Sequence, residues 1–182
     1  MRPSANWRDD PAAGRSMNDS LRSILIGTAG LDLAFLAALA LALRAPAGAN
    51  VWRLRPPAIA VLVLQMLHFT EERGGGFAER FPETLGLAPW PGGFFEGFNI
   101  VWLCVWAWAI VAGGAGYPAR AALWFLALSA IANGLAHPLL ALSVGGYFPG
   151  LYTSPLLGLG GLWLALRLGR RSAAPGALKP PR

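Results

Sequence analysis

Apolar positions run along this chain in long unbroken blocks, not in the alternating pattern of strands. Residues 24–43 are twenty positions with one charge, Asp32. A helix needs roughly 20 mostly apolar residues to cross a bilayer, so this block predicts a first transmembrane helix. It is too long for a signal-peptide core, and no A-x-A cleavage site leads into a soluble domain. The second block, 58–69, is twelve residues, or about 18 Å of helix. To span, it must draw on 53–57 before it and 68–72 after it, with Pro56 and Pro57 in the first turn. A Gly- and Pro-rich loop over 73–95 has room for a short interfacial helix near 77–85. Further blocks follow, one interrupted by Pro138 and the last opening with Pro155 in its first turn. The pattern predicts an all-α fold, a polytopic transmembrane bundle of about five helices at 23–44, 55–73, 94–113, 119–144 and 151–169. Strand alternation is missing, which excludes a β-barrel. The expected organisation is a disordered polar N-terminus (1–22), a helical domain (23–169) and a basic, Pro-rich tail (170–182). Met17 offers a second candidate start.

Composition agrees. Hydrophobic residues make up 55% of the 182 and charged residues 13%, and mean hydropathy is +0.47. Soluble domains run nearer a quarter charged. A secreted disulfide domain is excluded as well, because Cys104 is the single cysteine. Its apolar surroundings predict a small buried side chain. The net charge of +6 does not indicate nucleic acid. Arg22, Arg44, Arg53, Arg55, Arg120, Arg167, Arg170 and Arg171 stand at the ends of apolar blocks, where membrane proteins hold cations. Counted from Met17, nine cations fall on the side holding the C-terminus and three on the other. That asymmetry predicts a multi-pass protein of the cell membrane, N-terminus outside and C-terminus cytoplasmic. Trp52 and Trp90 read as interface anchors. One Lys against fourteen Arg, with abundant Ala, Gly and Pro, suggests a GC-rich bacterial source.

The polar residues inside the blocks are few. Gln65, His68 and Glu72 share a face of the second helix, and Ser129, Asn133 and His137 form a stripe on the fourth. Glu96 and Asn99 lie at the start of the third. The alternating direction of successive helices places His68, Glu71, Glu72, Glu96, Asn99, Asn133, His137, Tyr147 and Thr153 near one membrane face, whichever way the chain inserts. Ionisable groups at membrane depth cost roughly 2.5–3.5 kcal/mol on insertion scales, so they tend to be functional or paired. Asp32, alone on the first helix, reads as a helix-bonded polar residue.

Three ordered motifs emerge: His68-Phe69-Thr70-Glu71-Glu72 (HxxEE), Asn133 to His137 (NxxxH) and Tyr147 to Thr153 (YxPGxxT). In this order and spacing the chain resembles the HXXEE family of bacterial membrane proteins, a family of uncharacterised function. One departure is Ala141, where the family pattern carries a serine; Ser143 is nearest.

The residues themselves suggest a metal site. Two imidazoles with a carboxylate match the His₂Glu zinc set and the two-His-one-carboxylate set of non-haem iron. His68, Glu72 and His137 are the candidate ligands. Glu71 or Glu96 is the candidate base, and Tyr147 could close over the site. Gln65, Asn99, Asn133 and Thr153 supply further polarity. The corresponding activity is metal-dependent catalysis, hydrolytic or redox, on a lipid-like or amphipathic substrate at the interface. Two alternatives stay open: a metal-free site for ligand binding, sensing or proton relay, and a polar cluster that only ties helices together.

Overall fold

The structure, a computed structural model, describes residues 11–44, 51–114 and 116–170. Its elements are α1 (Pro11–Arg44), a 3₁₀ turn (Val51–Leu54), α2 (Arg55–Gly74), α3 (Phe77–Thr84), α4 (Phe94–Val111), α5 (Gly116–Val144) and α6 (Ser154–Gly169). No strand occurs among the described residues. All five predicted long helices form, and α3 is the short helix expected in the long loop.

One boundary moves substantially. Residues 11–22, expected to be disordered, belong to α1. Pro11 suits a first helical position, and Ala12, Ala13, Met17 and Leu21 are good helix formers, so the polar stretch extends the apolar helix. Residues 1–10, the tail from 171 onward and the Trp52 side chain lie outside the described residues.

Three helices are long and apolar enough to cross a membrane: Met17–Arg44 of α1, α4 and α5. This narrows the expectation of five spans. At sixteen residues, α6 covers about 24 Å, and α2 carries Arg55, Gln65, His68, Glu71, Glu72 and Arg73 within its length. Large apolar side chains nonetheless point outward on every long helix, including Leu33 and Leu36 on α1, Val63 on α2, Ile100 on α4, Leu139 on α5 and Leu159 on α6.

At the centre lies α5, which packs on α1, α4, α6 and α2. It is apolar nearly all round, as a buried helix should be, and Ala121, Ala122, Leu123, Phe125, Leu126, Ala127 and Ala130 are all buried. Its contact with α6 is made by small residues. A Cβ on Gly134 would stand 2.6 Å from the Gly158 Cα, and one on Gly161 would stand 2.7 Å from the Ala127 carbonyl oxygen. Such close approach lets two backbones meet without side chains between them. Gly134→Ala is therefore expected to cost about 1–3 kcal/mol through overpacking, read as a lower melting temperature in detergent. Gly146→Ala, with nothing within 4 Å of the added carbon, should leave it unchanged.

Cys104 corrects the expectation of burial, for it is exposed. The buried residues of α4 include Trp106, Ala109 and Ile110, and Cys104 sits about 200° round the helix from Trp106. Asp32 bonds within α1, accepting from the Thr28 hydroxyl at 3.0 Å. At the far end of the bundle Arg55 donates to the Val111 carbonyl at 2.7 Å, serving the C-terminal turn of α4.

Candidate metal centre

Helix α2 presents Gln65, His68 and Glu72 to the interior, and all three are buried. Their spacing of three and four residues makes one helical face. Helix α5 brings His137 opposite them, one residue before Pro138. The ends of the two helices therefore meet, and three side chains converge. The two Nε2 atoms of His68 and His137 are 3.2 Å apart. Glu72 Oε1 lies 3.5 Å from His68 Nε2 and 3.2 Å from His137 Nε2. One ligand atom from each of the three lies within 4.8 Å of the others.

The outer nitrogens decide what these inner atoms are. His137 Nδ1 is 2.6 Å from the Pro149 carbonyl oxygen, which only accepts, so Nδ1 carries the proton. His68 Nδ1 is 2.8 Å from Thr153 Oγ1. That hydroxyl gives its one hydrogen to Glu71 Oε2 at 2.7 Å, so it accepts from His68. With Nδ1 as the outer donor, each ring has its Nε2 turned toward Glu72, itself an acceptor. Two imidazole nitrogens and a carboxylate converging in a buried space need a shared cation among them, a metal ion or a proton.

Their separations also have the right scale. A tetrahedron with the roughly 2.0–2.1 Å metal–nitrogen length of zinc has edges of about 3.3–3.4 Å. An octahedron of the same radius has edges of about 2.8–3.0 Å. The observed 3.2, 3.2 and 3.5 Å sit nearer the tetrahedral value.

Behind this cluster the Tyr147–Thr153 turn is fastened to Glu71. The carboxylate accepts from Tyr147 Oη at 3.1 Å, Tyr152 N at 3.0 Å, Thr153 N at 2.9 Å and Thr153 Oγ1. Partial burial, then its bond to Glu71, pushes the Tyr147 phenol above its ordinary pKa, so it stays a donor at neutral pH. Gly150 takes φ +91°, and a Cβ there would stand 2.5 Å from His137 Cε1 and Nδ1 and 2.8 Å from His68 Cε1. Only glycine lets the turn lie against both rings.

Three expectations change. Glu71 is not an available base, because four donors occupy its oxygens; it holds Thr153, which holds His68. Tyr147 closes over Glu71 and stacks on Tyr152, with ring centroids 4.9 Å apart, instead of covering the ligand cluster. Glu96 is elsewhere: Phe95 takes the inward position on α4, and Glu96, about 100° further round, is 38% exposed and pairs with Arg73 at 3.6 Å. If the triangle holds a metal, Glu71→Gln is accordingly expected to retain it but weaken its binding by about 10–100-fold, the usual cost of losing an outer hydrogen-bond partner. Metal titration with a competing chelator measures this.

Glu72 and His137 also line a cavity of about 260 Å³ shared with Gln65, Asn99, Ser129 and Asn133. Its remaining walls are largely aromatic. Trp90, read as an interface anchor, belongs to them and packs against Phe77, Phe81, Phe94 and Phe95. Three residues of the wall each carry a buried polar atom with no protein partner: Gln65 Oε1, Trp90 Nε1 and Trp106 Nε1. Each such atom costs about 1–3 kcal/mol if left unmet. The Asn99 amide donates to the Phe95 carbonyl at 3.0 Å and Ser129 to Leu126 at 3.2 Å. Sequence reasoning missed the Pro149 carbonyl, the bare Cα of Gly150 and the aromatic walls. The Pro-Gly pair was the available signal for the first two.

The profile of a family described as "Protein of unknown function with HXXEE motif" matches residues 59–164. That range contains every residue of the convergent cluster and the turn behind it. No curated protein and no solved structure matches the chain. With more than half its length inside the match, the chain belongs to the HXXEE family.

Proposed function

We propose that this protein is a membrane-embedded metalloenzyme that hydrolyses a lipid-like substrate, with His68, Glu72 and His137 holding one divalent ion of the zinc type. The observation that carries this reading is the convergence of two Nε2 atoms and a carboxylate at tetrahedral-edge spacing, with both Nδ1 atoms bonded outward. Three protein ligands leave a fourth tetrahedral position for water or substrate, the usual arrangement of catalytic zinc. An ion held there would polarise a carbonyl or phosphoryl oxygen and acidify a water. The chain's own residues do the rest. Glu72 offsets part of the ion's charge, and Glu71, through Thr153, orients His68 and makes it a stronger ligand. Asn133, one turn before His137, offers an amide to an oxygen of the substrate, and the aromatic walls exclude bulk water. The apolar outer faces support insertion of the whole bundle, with α2 and α6 completing five passes. The arginine asymmetry supports an extracytoplasmic site and a cytoplasmic C-terminus. Bacterial origin remains part of the same reading.

Purified in detergent, the wild-type protein should carry about one equivalent of zinc or a similar ion by elemental mass spectrometry. It should also lose ester or phosphoester hydrolysis when a chelator strips that ion. Metal-free protein that takes up no zinc on addition overturns the reading. One observation favours a second: 3.2 Å between the two Nε2 atoms is also hydrogen-bond distance, so the acceptors could share a proton in a metal-free binding or relay site. That version predicts no metal and a histidine proton shared between the rings, visible by nitrogen NMR.

A further inference from the structure

The volume of the cavity limits what can occupy it. About 260 Å³ is less than twice the roughly 150 Å³ that holds one benzene ring in an apolar protein cavity. It therefore takes a body of about ten non-hydrogen atoms, one ring with a small head group. Its walls include Phe77, Phe81, Trp90, Phe95, Phe98 and Trp102, and such rings receive another ring edge-on or offset. The roof is fastened to α1. Ser23 Oγ donates to the Ala88 carbonyl at 2.6 Å, and a Cβ on Gly27 would stand 2.6 Å from the Trp90 ring. The cavity opens beside Gly30, a wall residue that is exposed and whose added Cβ would meet nothing within 4 Å. The wall also presents a free polar group. The Asn133 side chain makes no hydrogen bond to any described residue, and Asn133 is half-buried, unlike the enclosed Gln65 and Trp106. It lies one turn, about 6 Å of helix, before His137. Its amide both donates and accepts.

We infer that the cavity is a binding site for a single-ring aromatic ester or amide, its ring among the aromatic walls and its carbonyl oxygen accepting from the Asn133 amide. The head group then lies on the side of the cavity lined by Glu72 and His137. This narrows the lipid-like substrate of the preceding section to a compact aromatic one. That the ligand is also a substrate rests on the metalloenzyme reading. That it binds rests on the volume, the ringed walls and the free amide alone.

Benzamide is a suitable probe, because it is uncharged, resists hydrolysis and has about nine non-hydrogen atoms, within the capacity of the cavity. Cumene has the same shape without the polar head. Binding is measured by ligand-observed NMR titration of the full-length protein in lipid nanodiscs, with empty nanodiscs as the blank and zinc content recorded on the same samples. Benzamide is expected to bind saturably, and 2-naphthamide, whose second ring exceeds the volume, is not. Asn133→Leu should lower the ratio of benzamide to cumene affinity about tenfold, the worth of one buried hydrogen bond. Gly30→Leu places a side chain in the opening and should weaken both probes at least about tenfold. Leucine is a better helix former than glycine, so that variant keeps its fold, and its zinc content should match the wild type. No saturable binding of benzamide, equal binding of 2-naphthamide, or a ratio untouched by Asn133→Leu overturns the inference. Benzamide bound without zinc overturns only the metalloenzyme reading, and zinc present without benzamide binding overturns only this one.

Discussion

Replacing His137 by alanine should strip the metal from the protein. Two ligands would remain, and the loss in affinity should exceed the 10–100-fold typical of outer-layer substitutions. In practice, elemental analysis after size exclusion should fall from about one ion per chain to background. His68→Ala should do the same, because its Nε2 is an equal partner in the triangle. The comparison with Glu71→Gln is the informative one. Both residues are ionisable, both belong to the site region and both sit on the same ordered scaffold, yet only the histidine belongs to the inner triangle. If His137→Ala keeps stoichiometric metal, the tetrahedral site is wrong. If both substitutions lose metal equally, the Glu71–Thr153–His68 chain is more than a support.

Gly150→Ala should be nearly as damaging, although it adds one carbon and replaces no member of the inner triangle. The residue takes φ +91°, a conformation that costs a side-chain-bearing residue on the order of 1–3 kcal/mol. The new carbon would also overlap the His137 ring at 2.5 Å. Either the turn or the imidazole must shift. A shift of the turn breaks the Pro149 carbonyl bond to His137 Nδ1, and a shift of the ring breaks the triangle. The expected result is a lower melting temperature and a metal affinity reduced by at least about tenfold. Gly145→Ala, also at positive φ but with nothing within 4 Å, isolates the backbone cost. If the two variants behave alike, contact with the histidines plays no part.

Much of this arrangement was legible because the relevant periodicities are short. Gln65, His68 and Glu72 follow one helical face, and so do Ser129, Asn133 and His137; parity then put the two stripes at the same depth. Glu72 and Glu71 divide as their angular separation requires, one inward and one toward the turn. Glu96 was misplaced because depth alone was available for it: parity gives level, not azimuth, and Phe95 won the inward position on apolar burial. The role of Glu71 was hidden for another reason. Its partners are two backbone N–H groups and two hydroxyls about eighty residues away, and backbone donors leave no mark on residue identity. Trp90 and Cys104 exchanged places with expectation because composition does not say which side of an amphipathic surface faces a cavity.

The glycine seam between α5 and α6 divides the bundle mechanically. Where Gly134 meets Gly158, backbone rests on backbone, and no rotamer change can part the two helices. Across the cavity the situation differs. Phe35 of α1 meets Trp102 of α4 ring to ring, with centroids 5.5 Å apart, and rings swing about their χ angles on timescales of nanoseconds and longer. The protein therefore has a stiff wall carrying His137 and, opposite it, a seam made of side chains. Any opening of the bundle is therefore expected between α1 and α4, where side chains meet, and not along the α5–α6 seam.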